Sequence, residues 1–200
     1  MIIGINGKIG SGKDTIGEII QGLSITNGGR EFEVKKFAGK LKTIGSLLTG
    51  IPVCNFEDQN FKMLNMGPDW DMTYREFLQK LGTEAMRDSL HTNVWVNALF
   101  ADYRGPKMSE YNPSNWIITD MRFPNEMEAV KERRGITIRV VRPHGYTNPH
   151  TGEYKEMPLS YHTSETALDD AEFNYEIIND GSIEDLIAKV RQILITEKII

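Results

Sequence analysis

The chain carries one cysteine, Cys54, in 200 residues, so no internal disulfide can staple it and the fold must rest on a buried core. Histidine is scarce as well. The four present show no pair at metal-ligand spacing, which argues against a zinc centre. No apolar run approaches the ~20 residues that a bilayer-crossing helix needs. The start of the chain lacks the basic opening and long apolar centre of a secretory leader, so a soluble cytoplasmic protein with no membrane partner is expected. There is no excess of positive charge either. A net charge of −5 argues against a surface for polymeric nucleic acid, while leaving room for a local basic pocket around a small anion. Internal repeats and low-complexity tracts are missing too. What is present, 40% hydrophobic residues over this length, suffices for one domain, 1–200, with a sizeable core and an inserted segment.

One stretch organises the rest. Gly7-Lys8-Ile9-Gly10-Ser11-Gly12-Lys13-Asp14-Thr15 follows the apolar run Ile2 to Ile5 and leads into a helical pattern at Ile16, Ile19, Ile20 and Leu23. Strand, glycine loop and helix in that order form a phosphate-binding loop. Its backbone N–H groups and the helix N-terminus favour an anion, and Lys13 can reach the β- and γ-phosphates of a nucleoside triphosphate. Gly10, Ser11, Gly12, Lys13, Asp14 and Thr15 are therefore the candidate ATP-binding residues. Asp14 stands where a hydroxyl normally meets Mg²⁺, and the hydroxyl comes one residue later at Thr15. Which of the two approaches the metal, directly or through water, is open at this level.

Further along, a helix over Asp14 to Leu23 ends in the turn Thr26 to Gly29, and a second strand spans Phe32 to Phe37. Lys40 and Lys42 then open a helix with apolar positions Leu41, Ile44, Leu47 and Leu48. Solvated charge and contact with a substrate phosphate are equally compatible with that lysine pair. From Gly50 to Asp71 a loop or short helix is expected. Thr73 and Glu76 have capping-box spacing, and Tyr74, Phe77, Leu78, Leu81 and Ala85 make one helical stripe. Arg75 on the adjoining face suits a phosphate clamp or an ordinary surface ion pair. Gly82 interrupts the helix, which signals a close approach to its backbone. Trp95, Val96, Leu99 and Phe100 form another amphipathic segment.

The apolar strand Trp116 to Thr119 enters Asp120-Met121-Arg122-Phe123-Pro124-Asn125-Glu126, a charged cluster at the edge where open α/β sheets bind ligands. Asp120 could anchor Mg²⁺ through water or orient a hydroxyl, and Arg122 could neutralise transferring phosphate charge. An Asp120–Arg122 ion pair is the structural alternative. A helix over Asn125 to Arg134, stopped by Gly135, precedes a strand from Ile136 to Val141. The polar segment Gly145 to Tyr161 has the length of a lid, and His162 after it suits a hydrogen-bonding role. A last strand, Tyr175 to Ile178, and a helix capped at Ser182 complete a three-layer α/β fold around five parallel strands.

The ordered set of motifs resembles the bacteriophage-type deoxynucleoside monophosphate kinases. It comprises Gly-Ser-Gly-Lys-Asp-Thr at 10–15, Ala38-Gly39 with Lys42, and Arg75 through Leu81-Gly82-Thr83. Trp95-Val96, Asp120-x-Arg122 with Glu126, Val140-Val141-Arg142-Pro143 and Asn179-Asp180-Gly181-Ser182 follow. The resemblance implies a P-loop kinase fold, a substrate-binding helical region at 38–95 and a lid-like segment at 143–165. It also implies ATP as phosphoryl donor with Mg²⁺, and a deoxynucleoside monophosphate bound by Lys42, Arg75, Gly82, Trp95, Asp120, Arg122 and Glu126. Read from the residues themselves, Lys13, Arg122 and Asp120 would be catalytic and Arg142 and His162 would belong to the lid. Because Tyr146 to Pro158 looks like an enlarged lid, the family's lid contacts do not carry over, while a homodimer is expected from the family and the cytoplasm (the host's, if phage-encoded) is the expected location. Where family members carry a basic residue inside the phosphate loop, this chain has Ile9 and Gly10. Two other classes stay open: a P-loop kinase for a phosphomevalonate-like or dephospho-coenzyme-A-like acceptor, and an ATP-binding switch without transfer activity.

Overall fold

The computed structural model describes residues 1–105, 114–143, 146–147, 154–155 and 163–200. In chain order the elements are β1 (Ile2–Gly7), α1 (Lys13–Thr26), β2 (Glu33–Lys35), α2 (Gly39–Thr49), a 3₁₀ turn (Val53–Phe56), α3 (Gln59–Lys62) and α4 (Tyr74–Gln79). A π-helix (Lys80–Leu90), α5 (Val94–Phe100), β3 (Trp116–Ile118), α6 (Pro124–Glu132), β4 (Ile136–Val141), β5 (Tyr146–Thr147), β6 (Tyr154–Lys155), α7 (Thr163–Thr166), β7 (Tyr175–Ile178) and α8 (Ile183–Thr196) follow. They form two compact units, Met1–Lys35 with Arg104–Ile200, and Lys36–Tyr103.

The first unit is the expected five-stranded sheet, all parallel, in the order β2-β3-β1-β4-β7. β1 lies at its centre because Ile2, Ile3 and Ile5 have no exposure and need cover on both faces. Side chains alternate along a strand. Ile3 and Ile5 pack with Ile16 and Ile20 of α1 and Val190 and Leu194 of α8, while Gly4 turns the other way, against Val130 of α6 and Met121 just before that helix. Helices thus cover opposite faces, giving three layers, and parallel pairing brings every strand's C-terminal end to one edge. The helix over α6 does not stop as the sequence suggests: the left-handed residue is Arg134, with φ 55°, one position before Gly135. β5 and β6 pair antiparallel as a separate two-stranded ribbon. Most of the lid-like segment 143–165, with His162, lies outside the described residues.

The second unit is helical and organised around Phe56, Phe77 and Leu78. Phe56, in the stretch whose pattern is weakest, is fully buried, with Tyr74 edge-on at 6.0 Å between ring centres. Truncating such a side chain to alanine typically costs ~3–5 kcal/mol. The capping box forms as the spacing predicts, Thr73 and Glu76 satisfying each other's backbone N–H groups. Two expectations turn out differently. In α2 the inward positions are Lys42 and Gly45, and Leu47 and Leu48 are exposed. The absent Cβ of Gly45 admits Leu78, Phe77 and Phe56, each within 3.7 Å of where it would stand, so the helix turns its glycine inward. Beyond Gln79 the winding becomes π, and the buried residues are Gly82 and Arg87, a spacing wider than the α-helical three or four, while Ala85 is exposed.

Candidate functional site

At the C-terminal end of β1 the chain makes the phosphate loop. Gly10 and Gly12 have φ of 76° and 101°, conformations that side chains rarely adopt. A Cβ on Gly12 would also lie 2.6 Å from Asn179 Nδ2. That amide donates to the Ser11 carbonyl at 2.8 Å, a buried bond from the residue after β7, and the Asn179 backbone N–H donates to Val141 at 2.7 Å. The loop is thus anchored to the far edge of the sheet. Ser11 Oγ is buried without a hydrogen-bond partner among the described residues. Lys13 opens α1 and its Nζ donates to the Lys8 carbonyl at 2.9 Å, folding the side chain back across the loop. The Arg142 guanidinium, at the end of β4, reaches to 3.5 Å from the Gly10 carbonyl.

The end of β3 supplies the charged cluster. Thr119 is buried and its hydroxyl donates to Asp14 Oδ1 at 2.7 Å, tying the first turn of α1 to the strand next to β1. Asp120 and Arg122 are half-buried just beyond it. Glu126 is 2% exposed, and its Oε2 accepts the backbone N–H groups of Arg122 at 2.7 Å and Phe123 at 3.1 Å. Its carboxylate therefore caps α6 and fixes the Arg122 main chain. The Arg122 guanidinium pairs with Glu165 of α7.

In the helical unit, Lys42 is buried and its Nζ lies 2.6 Å from Glu57, with Lys36 3.6 Å from the same carboxylate. Burial works against the charge on Glu57, but the Lys42 hydrogen bond and the charges of Lys42, Lys36 and Lys62 outweigh it and hold the carboxyl below its ordinary range. Lys40 is more exposed, 3.5 Å from Asp102. Arg75 donates to Gln59 Oε1 at 2.9 Å and lies 3.3 Å from Met63 Sδ, and among the described residues no carboxylate pairs with it. Trp95 is buried, and its indole N–H donates to the Gly82 carbonyl at 2.8 Å. A Cβ on Gly82 would stand 2.8 Å from Leu41, which is the close approach the glycine signals.

The sequence model of the deoxynucleotide monophosphate kinase family matches residues 33–190, and so takes in β2 and everything after it as far as α8. The chain belongs to the deoxynucleotide monophosphate kinase family. The enzyme of that name from Enterobacteria phage T4 is 28% identical over 65% of this chain and 48% of its own length. Its counterpart from Escherichia phage RB69 is 30% identical over 65% and 47%. A relative from Acanthamoeba polyphaga mimivirus is 28% identical over 95% of this chain and 94% of its own. The chain thus spans about half the length of the phage relatives and nearly all of the mimivirus protein. Shikimate kinase from Aquifex aeolicus shares the fold, with a TM-score of 0.52 at 10% identity over 99% of this chain and 98% of that one.

For this member of the deoxynucleotide monophosphate kinase family the oxygen donors near the loop suit a hard divalent cation. Asp14 and Thr15 offer a carboxylate and a hydroxyl, and the Thr119 hydrogen bond holds the carboxylate in its acceptor role. Among the described residues no cluster of three or more His, Cys, Asp or Glu could form an all-protein metal cage. Sequence reasoning did not single out Thr119, Glu57 and Glu165 as partners of the candidate site residues, and it placed Asn179 only within a motif. Asn179 and Thr119 had a signal, since each stands at or just past the end of a sheet strand, where ligand-facing residues gather. Glu57 and Glu165 had none, because their partners are distant in sequence. No helix among the described residues is long and apolar enough to cross a membrane.

Proposed function

We propose that this protein transfers the γ-phosphoryl group of ATP to a deoxynucleoside 5′-monophosphate, giving the diphosphate and ADP. The observation that carries the reading is the family match across residues 33–190, joined to a left-handed glycine loop with Lys13 folded over it. The loop's backbone N–H groups and the N-terminus of α1 would hold the β- and γ-phosphates, with Lys13 following the migrating group. Asp14 and Thr15 would hold Mg²⁺, which would supply neutralisation of the triphosphate's charge.

The acceptor explains why no strong base is required. A phosphate monoester has a second pKa near ~6, so at neutral pH its oxygen already carries the charge needed to attack the γ-phosphorus in line. The bond from that phosphorus to the bridging oxygen breaks as the new one forms. Catalysis is then positioning and charge neutralisation. Arg122 would hold the acceptor phosphate, its main chain fixed by Glu126, with Asp120 beside it and Arg142 at the loop. Lys42 and Arg75 are the cations of the helical unit suited to an anionic substrate, and the Trp95–Gly82 bond would keep the π-helix in shape for it. A homodimer in the cytoplasm remains the expected state.

The test is diphosphate formation with ATP and Mg²⁺ across the four deoxynucleoside monophosphates, their ribose counterparts and phosphomevalonate. Turnover confined to deoxynucleotides supports the proposal. Turnover of phosphomevalonate alone, or ATP binding with no transfer to any acceptor, overturns it.

A further inference from the structure

Arg122 is held by two carboxylates that do different things. Glu126, four residues on, accepts its backbone N–H at 2.7 Å. Glu165, from α7 in a distant part of the chain, pairs with its guanidinium. The Glu165 side chain is 5% exposed against 33% for Arg122, so the acid is the more deeply seated partner. A carboxylate that far from water is costly unless its charge is matched, which fixes it on the guanidinium. The segment carrying Glu165 is itself fastened to the phosphate loop. Lys8 Nζ donates to the Glu165 backbone carbonyl and to Asp169 Oδ1, each at 2.5 Å. All of these residues lie in the first unit.

We infer that Glu165 is a positioning residue for Arg122, setting the plane of its guanidinium for the acceptor phosphate, and that Lys8 ties this setting to the phosphate loop. A guanidinium carries its N–H donors in a rigid planar fork, so a carboxylate seated on it sets the direction in which the fork faces. Orientation fixed before binding lowers the ordering cost that the substrate would otherwise meet. Lys8 thereby acts as a strut between loop and α7. The inference rests on the reading of Arg122 as the acceptor-phosphate ligand.

The experiment is steady-state kinetics on the whole chain, with ATP and the monophosphate varied separately. Glu165→Gln keeps the shape and removes the charge. It is expected to raise the acceptor KM about tenfold and leave the ATP KM within about twofold, and Glu165→Asp, which keeps the charge on a shorter arm, is expected to fall between it and the wild type. In an Arg122→Ala background the Glu165→Gln change is expected to add nothing, because no guanidinium remains to be set. An unchanged or lowered acceptor KM in Glu165→Gln overturns the inference, and so does an equal loss in the Arg122→Ala background. Arg122→Ala alone with a wild-type acceptor KM would instead overturn the assignment of Arg122. Asp169→Asn, at a half-exposed position, loosens the strut without disturbing buried groups. Should Glu165→Gln fail to fold, a two- to threefold rise in acceptor KM for Asp169→Asn supports the inference, and wild-type kinetics in both Asp169→Asn and Glu165→Asp overturn it.

Discussion

The phosphate loop and the Lys42 region hold their cations by different means. In the loop the main chain sets the geometry: two left-handed glycines, an asparagine amide on the Ser11 carbonyl, and Lys13 seated on a backbone oxygen. In the helical unit side chains set it, Lys42 against Glu57 and Arg75 against Gln59. A site built from backbone tolerates mild acid but not an extra methyl group. The Lys42–Glu57 pair is sensitive to acid instead, and there the lysine's charge is partly neutralised by the carboxylate that holds it.

That contrast can be broken most forcefully at Lys13. Lys13→Ala should lower kcat by about 10³-fold, the scale of losing one electrostatic stabiliser, with the melting temperature nearly unchanged. Near-normal turnover would remove Lys13 from the mechanism. Gly12→Ala tests the backbone itself. It should cost ~1–3 kcal/mol in denaturant unfolding through strain at φ 101° and the clash with Asn179, and should weaken ATP binding as well. An alanine variant as stable as the parent would show that the loop is not locked. In the helical unit, Arg75→Ala should raise the monophosphate KM about tenfold while sparing the ATP KM. A reversed pattern would place Arg75 on the donor side.

The smallest effect concerns Glu57. Its folded pKa lies below the ordinary value near 4.5, so the pair's stabilisation is complete above that pH and is lost as pH falls through the folded pKa. The side chain is half exposed, which limits the contribution to ~0.2–1 kcal/mol. Glu57→Gln should therefore differ from the parent in urea unfolding at pH 7 and converge with it under acid conditions. A difference that persists once the carboxyl is fully protonated in both states would mean that the carboxylate's charge is not what stabilises the pair.

The same contrast decides what could be read from the sequence. β4 and β7 occupy the residues their apolar runs predict, and the glycine loop sits where its spacing puts it, because each depends on neighbours in the chain. The capping box at Thr73 and the helix cap at Ser182 were legible for the same reason. In α2 the apolar spacing pointed to Leu47 and Leu48, yet packing against Phe77 and Leu78 selected the Gly45 side. The stripe continuing to Ala85 failed because its 3.6-residue period gives way to π winding at Lys80. Partners such as Glu57 for Lys42, or Glu165 for Arg122, come from the folded arrangement and leave no mark in local spacing.

The bond from Asn179 to the Ser11 carbonyl spans 168 positions, which sets an order of events during synthesis. At ~5–20 residues per second, a ribosome would emit Asn179 roughly 10–30 s after the glycine loop. Through that interval the loop has its sequence but not its anchor. Nucleotide should therefore protect nascent chains from protease only once they extend past Asn179, and protection of arrested chains ending before it would show that the anchor is dispensable.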